Sequence, residues 1–157
     1  MTALTTGVLG VNLSENSATA SFAVGTHVFA ADNSEWVYCQ DSGSGVTANY
    51  WVGIDENFSA GALTAAMADD GFFVGIAPVA VTASYYFWAC IKGSNVSGAI
   101  IGATPVDQAL LYTSATAGVL GDAATGGSVI KGVTNTVSAG TGITVVEFIL
   151  ATNPHNH

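Results

Sequence analysis

Phe72 to Lys92 reads FFVGIAPVAVTASYYFWACIK, and this stretch decides the fold. Side chains on a strand alternate between faces. Tyr85, Phe87, Ala89 and Ile91 therefore share one face, and Tyr86, Trp88, Cys90 and Lys92 the other. Both sets are mostly apolar, so the strand is expected to be covered on both sides rather than half solvated. The run before it, Phe72 to Val81, is broken at Pro78, which cannot donate to a ladder and suits a bulge or an edge. Thr82-Ala83-Ser84 is a short polar link. The stretch reads as two consecutive strands in the middle of an all-β core.

Working outward, Glu35 to Gln40 (EWVYCQ) and Asn49 to Asp55 (NYWVGID) alternate in the same way, separated by the turn Asp41-Ser42-Gly43-Ser44-Gly45. They are expected to form a hairpin-like unit. Phe22-Ala23-Val24 and His27-Val28-Phe29-Ala30 give earlier β signals, closed by the loop residues Ala31 to Ser34. One helix is expected, capped by Asn57 or Ser59 and running through Ala60, Leu63, Ala66, Met67 and Asp70, with Gly71 as its stop. Gly93-Ser94-Asn95 reads as a turn, followed by a strand-like run from Val96 to Thr104. Later runs are Ala109–Thr113, Gly118–Asp122, Val129–Val133 and Ile143–Leu150. Nine or ten short strands and one short helix predict a mainly β domain, a sandwich or a barrel-like fold. It spans residues 21–150, between an N-terminal arm, 1–20, and a C-terminal tail, 151–157.

The chain of 157 residues is long enough for one domain with a full core. Its charge is unusual. Only 8% of residues are charged, against about 25% in an ordinary soluble domain. Such a surface suits a protein partly covered by partners, so a homo-oligomer or lattice subunit is expected. The formal net charge is −9, there is no arginine, and Lys92 and Lys131 are the only lysines. Binding to phosphate backbones or anionic lipid headgroups depends on such cations, so neither nucleic acid nor membrane is expected as a partner. No window reaches 18 uninterrupted apolar residues, and the N-terminus lacks the charged and apolar regions of a secretory signal.

Catalytic and metal-binding patterns are weak throughout. His155 and His157 lie in the tail, and Asp55-Glu56 and Asp69-Asp70 are adjacent pairs rather than the spaced oxygens of a calcium loop. No Gly-x-Ser-x-Gly elbow and no phosphate loop with its lysine is present. Cys39 and Cys90 sit inside apolar strand-like runs and are expected as buried free thiols. Trp36, Trp51 and Trp88 occupy alternating strand positions and read as core before they read as a sugar-stacking platform. No catalytic residue, cofactor or metal is therefore expected. Leu4, Val8, Leu9, Val11 and Leu13, apolar without a helical or strand period, mark the arm as a candidate interface with another subunit.

The order Phe22-Ala-Val-Gly-Thr, Asp32-Asn-Ser-Glu-Trp-Val-Tyr, Ala62-Leu-Thr-Ala-Ala-Met-Ala-Asp, then Gly75-Ile-Ala and Tyr85-Tyr86-Phe87-Trp88, resembles the small capsid decoration, or cement, proteins of tailed bacteriophages. The layout of Gly118-Val119 and the closing VVEFIL is similar, and the resemblance covers about residues 20–150. It implies a non-enzymatic virion protein, commonly a homotrimer, made in the host cytoplasm. It would sit on the outer surface of the head and staple neighbouring copies of the major capsid protein. Members of that family usually carry more charge. Two other readings remain open: a β-sandwich adhesion module that binds glycans through exposed aromatics, and a self-assembling fibre or surface-layer subunit.

Overall fold

The computed structural model describes residues 10–100, 110–121, 127–135 and 142–148. It is mainly β, and a closed five-stranded barrel carries additional strands. The elements are β1 (Asn16–Ser17), β2 (His27–Phe29), β3 (Glu35–Asp41), β4 (Trp51–Ile54), β5 (Ser59–Ala62), α1 (Ala65–Asp69), β6 (Phe73–Ile76), β7 (Tyr86–Ile100), β8 (Leu110–Thr113), β9 (Leu120–Gly121), β10 (Val129–Asn135) and β11 (Gly142–Phe148).

The expected central strand is the axis of the molecule, and it is longer than its alternation suggested. β7 runs for 15 residues, about 50 Å of extended chain. Its first half pairs antiparallel with β3, from Gln40 opposite Tyr86 to Glu35 opposite Lys92. Its second half pairs antiparallel with β11, from Phe148 opposite Gly93 to Gly142 opposite Ile100. Gly93-Ser94-Asn95, expected as a turn, lies within this continuous strand. The register against β3 slips at Ile91, and that against β11 slips between Gly93 and Val96. An extra residue on one strand bends it and raises its twist. The turn-forming residues thus absorb the second of two bulges, the first lying just before them at Ile91, at the handover from one partner to the next.

The barrel closes through β3–β5, β5–β4, β4–β6, β6–β7 and β7–β3, with β3–β5 parallel and the others antiparallel. A second circuit of pairings runs β7–β11–β10–β8–β9 and returns to β7. One strand therefore belongs to both closed rings. The expected hairpin of β3 with β4 does not form, because β5 lies between them in the sheet. The loop after Asp41 instead runs beside the segment that follows β6. Val46 N–H donates to Val81 O at 3.0 Å, Val46 O accepts from Val81 N–H at 2.8 Å, and Asn49 N–H donates to Ala77 O at 2.7 Å.

Side-chain parity explains the core. Phe87 and Ala89 of β7, Val37 and Cys39 of β3, Val52 and Ile54 of β4 and Ala60 of β5 form one buried cluster inside the barrel. Trp88 and Cys90, Trp36 and Tyr38, and Trp51 point the other way. They join Leu63, Ile76, Leu111, Leu120, Ile130 and Val133 in a second cluster, between the barrel and the strands of the second circuit. Burial on both faces of β7 from Phe87 to Cys90 is as the sequence predicts. All three tryptophans are core residues, at most 3% exposed.

Three local expectations change. The helix begins later, capped by Thr64 rather than Asn57 or Ser59: the Thr64 hydroxyl accepts from Met67 N–H. Ser59–Ala62 is spent on β5, where Gly61 faces Gly53 of β4. A Cβ on Gly53 would meet Met67 Sδ at 2.9 Å and Leu63 Cδ1 at 3.3 Å, so bare backbone is what lets α1 lie against the barrel wall. Gly71, at φ +81°, does follow the helix as expected. Phe22-Ala23-Val24 is loop rather than strand.

The third change concerns the arm. Val11 and Leu13 are 6% and 0% exposed and belong to the second core cluster of their own chain. β1 then pairs with the start of β7, Asn16 opposite Phe87. Asn16 also exchanges hydrogen bonds with Thr82 through its side chain, at 3.1 and 3.2 Å. The domain therefore begins by residue 11, and those two side chains are consumed in folding instead of facing another subunit. Leu4, Val8 and Leu9, like the C-terminal tail, lie outside the described residues.

Candidate functional site

Polar groups drawn into the fold serve structure. Asp41 ends β3 and is 3% exposed. Its Oδ2 accepts from the backbone N–H groups of Gly43 (2.8 Å), Gly45 (3.0 Å) and Ser84 (3.0 Å). One carboxylate oxygen thereby gathers a glycine loop and ties it to the residues leading into β7. The other oxygen, Oδ1, is buried without a partner. Asp32 accepts from Ser34 N–H and Ser34 Oγ, while Trp36 Nε1 donates to Ser34 Oγ at 2.7 Å. The Ser34 hydroxyl holds the Asp32 carboxyl below its ordinary range. Glu15 Oε1 accepts from Tyr38 Oη at 2.9 Å and Ser21 Oγ at 2.6 Å. Burial pushes the Tyr38 phenol up.

Neither cysteine is a nucleophile at ordinary pH. Cys39 lies inside the barrel and Cys90 on its outer side, both buried and free. Burial pushes each thiol up to about 12, and a thiol rather than a thiolate is a poor attacking group. Among the described residues no three His, Cys, Asp or Glu side chains converge to hold a metal. No helix among them is long and apolar enough to cross a membrane.

The outer surface offers a different kind of site. Six large apolar side chains stay in solvent among the described residues: Phe22, Val24, Phe29, Phe73, Leu110 and Val129. Phe22 is partly used at home. Its ring meets Tyr38 and Trp88 edge-on at 5.5 and 5.4 Å, sealing an aromatic group completed by Tyr86 stacked on Tyr38. Phe29 and Phe73 are more open, at 57% and 68%. Phe29 ends β2, and at the strand's other end His27 Nδ1 lies 3.1 Å from Glu35 Oε1. Phe73 begins β6, opposite Ile54. Leu110 and Val129 sit on adjacent antiparallel strands, one residue out of step with buried Leu111 and Ile130, so they face outward.

None of the six is marked as an interface residue by sequence pattern alone. For Phe29 a signal existed: in His-Val-Phe the outer two share a face, and only small alanines follow before the loop residues from Asp32 end the run. Phe73, preceded by Phe72 and followed by Val74, has no such signature. Comparison with protein-family models, with curated proteins and with solved structures finds no match to this chain.

Proposed function

We propose that this chain is a structural protein of a virus particle, a cement protein on the outside of a tailed-phage head. There it contacts the major capsid protein as a homo-oligomer, a trimer by the resemblance, and stabilises the coat lattice without chemistry. One observation carries the reading: a chain with 8% charged residues holds the bare rings of Phe29 and Phe73 on a closed β scaffold. A phenylalanine buries roughly 200 Å², so covering the exposed part of each ring gains about 2–3 kcal/mol. The chain as a whole carries few charged residues, which limits the cost of desolvating charge across a docked face, Glu35 opposite Phe29 being the nearest exception. A scaffold tied into closed rings has little freedom left to lose on docking. Contacts that are weak singly add up when many copies, or several arms of one oligomer, engage a shell.

The test is mechanical. Particles assembled without this protein are expected to form but to burst at lower temperature or internal pressure, and adding the purified protein back restores them. Stripped particles as robust as intact ones would refute the cementing role. Tight binding to a glycan array by a protein that ignores shells would favour the adhesion reading. Its platform would then have to use the exposed phenylalanines, since Trp36, Trp51 and Trp88 are enclosed.

A further inference from the structure

β2 is where the sheet path stops. Thr26 O accepts from Tyr38 N–H at 2.9 Å, Val28 stands opposite Trp36, and Ala30 N–H donates to Ser34 O at 2.9 Å. Bonding alternates along an antiparallel strand, so residues 26, 28 and 30 turn their backbone groups toward β3. The N–H and C=O groups of His27 and Phe29 then point away from it. Among the described strands none pairs with that outer side.

Natural sheet edges are commonly guarded by charge, proline or a covering segment, because a bare edge is a template for another chain. Among the described residues no segment covers this one and no proline interrupts it. From Ala18 to Ala31 the sequence has no Asp, Glu, Lys, Arg or Pro. Phe22, Val24 and Phe29 within it are 36%, 39% and 57% exposed. Carboxylates return in sequence at Asp32, just past the strand's end, and at Glu35, which stands opposite Phe29 on β3 and reaches His27.

We propose that the outer edge of β2 accepts an extended segment of the coat protein as an added strand. Backbone bonds to His27 and Phe29 supply the register, an apolar side chain covers the Phe29 ring, and a Lys or Arg lies toward Asp32 and Glu35. The proposal rests on the capsid reading and names the partner surface within it. A second copy of this chain is the poorer occupant of this edge on two counts. Its own β2 edge would bring Asp32 and Glu35 rather than a cation to the carboxylates there. A three-residue strand also covers far less than the ~1,200 Å² a stable pair needs in solution, whereas a shell multiplies weak contacts.

His27→Pro tests the edge when read against His27→Ala, which loses the same Glu35 contact but keeps the N–H and should bind like wild type. The proline removes an N–H that faces away from β3, and proline is tolerated on edge strands with the N–H side outward. The full-length proline variant should melt within a few degrees of wild type. It should bind particles stripped of the native protein at least about tenfold more weakly, a change of 1.4 kcal/mol. If the variant fails to fold, wild-type protein decides the matter. Amide exchange at His27 and Phe29 should be fast in the free protein and at least tenfold slower on particles. Unchanged exchange at both amides on well-occupied particles, or undiminished binding by a folded proline variant, overturns the edge proposal and leaves the cement role standing. Wild-type protein that does not occupy particles overturns both. Protection of the two amides that grows with concentration in the free protein overturns the choice of partner in favour of self-association.

Discussion

Asp41→Ala tests whether one buried carboxylate organises the approach to β7. Three backbone N–H groups converge on a single oxygen within 2.8–3.0 Å. Hydrogen bonds to a charged group contribute about 1.5–3 kcal/mol each, so a simple sum is about 4.5–9 kcal/mol. Two conditions reduce it. Gly43 and Ser84 are exposed residues, so their amides regain water when the carboxylate is gone. Bonds sharing one acceptor are also not additive. About 3 kcal/mol is the expected loss, which lowers the melting temperature by about 6–12 °C for a chain of this size. Asp41→Asn should be milder. Its carbonyl oxygen can keep the three bonds, but its amide replaces Oδ1, which has no partner, leaving one buried donor unsatisfied at about 1–3 kcal/mol. Denaturant unfolding followed by the fluorescence of the three buried tryptophans gives both numbers. An alanine variant within about 1 kcal/mol of wild type, below a single charged bond, would refute the idea that Asp41 clamps the loop.

Leu13→Ala should cost about 2–5 kcal/mol, the range for emptying a packed leucine site, because Leu13 is 0% exposed; a loss under 1 kcal/mol in the same unfolding assay would return the arm to the surface. Gly53→Ala should cost about 1–3 kcal/mol by pressing a methyl against Met67 and Leu63, and a crystal structure with α1 unmoved would contradict the packing argument. Cys39 and Cys90 should resist a thiol reagent at pH 8 in the native protein and react fully once unfolded; rapid native labelling would show that either thiol is reachable. Burial holds both thiols at about 12 in the folded state, above the 9.0 of an ordinary cysteine. The folded state thus keeps protons the unfolded state releases, and stability is expected to fall as pH rises from about 9 towards 12. A flat stability profile over that window would count against both sites.

The sequence by itself determined the class of the fold and the character of its centre. Alternation from Tyr85 to Ile91 assigns every side chain to a face, and the two core clusters take up those faces without exception among Phe87, Trp88, Ala89 and Cys90. That information is local, because the period of a strand is a property of its own backbone. What lies beside the strand is not local. EWVYCQ and YWVGID are close in sequence and equally strand-like, yet Ser59–Ala62 inserts between them; Ala-rich composition pointed that segment toward helix, and backbone pairing on both edges outweighed its propensity. Gly93-Ser94-Asn95 carries the composition of a turn, but flanking pairings with β3 and β11 hold it straight as a bulge. The fate of Val11 and Leu13 was likewise undecidable from their spacing, since an aperiodic apolar stretch suits a partner's groove as well as its own core. The candidate surface follows the same rule. Exposure of Phe29 and the open side of β2 depend on which strand ends the sheet, and only the closing of the other strands into rings leaves that edge outside.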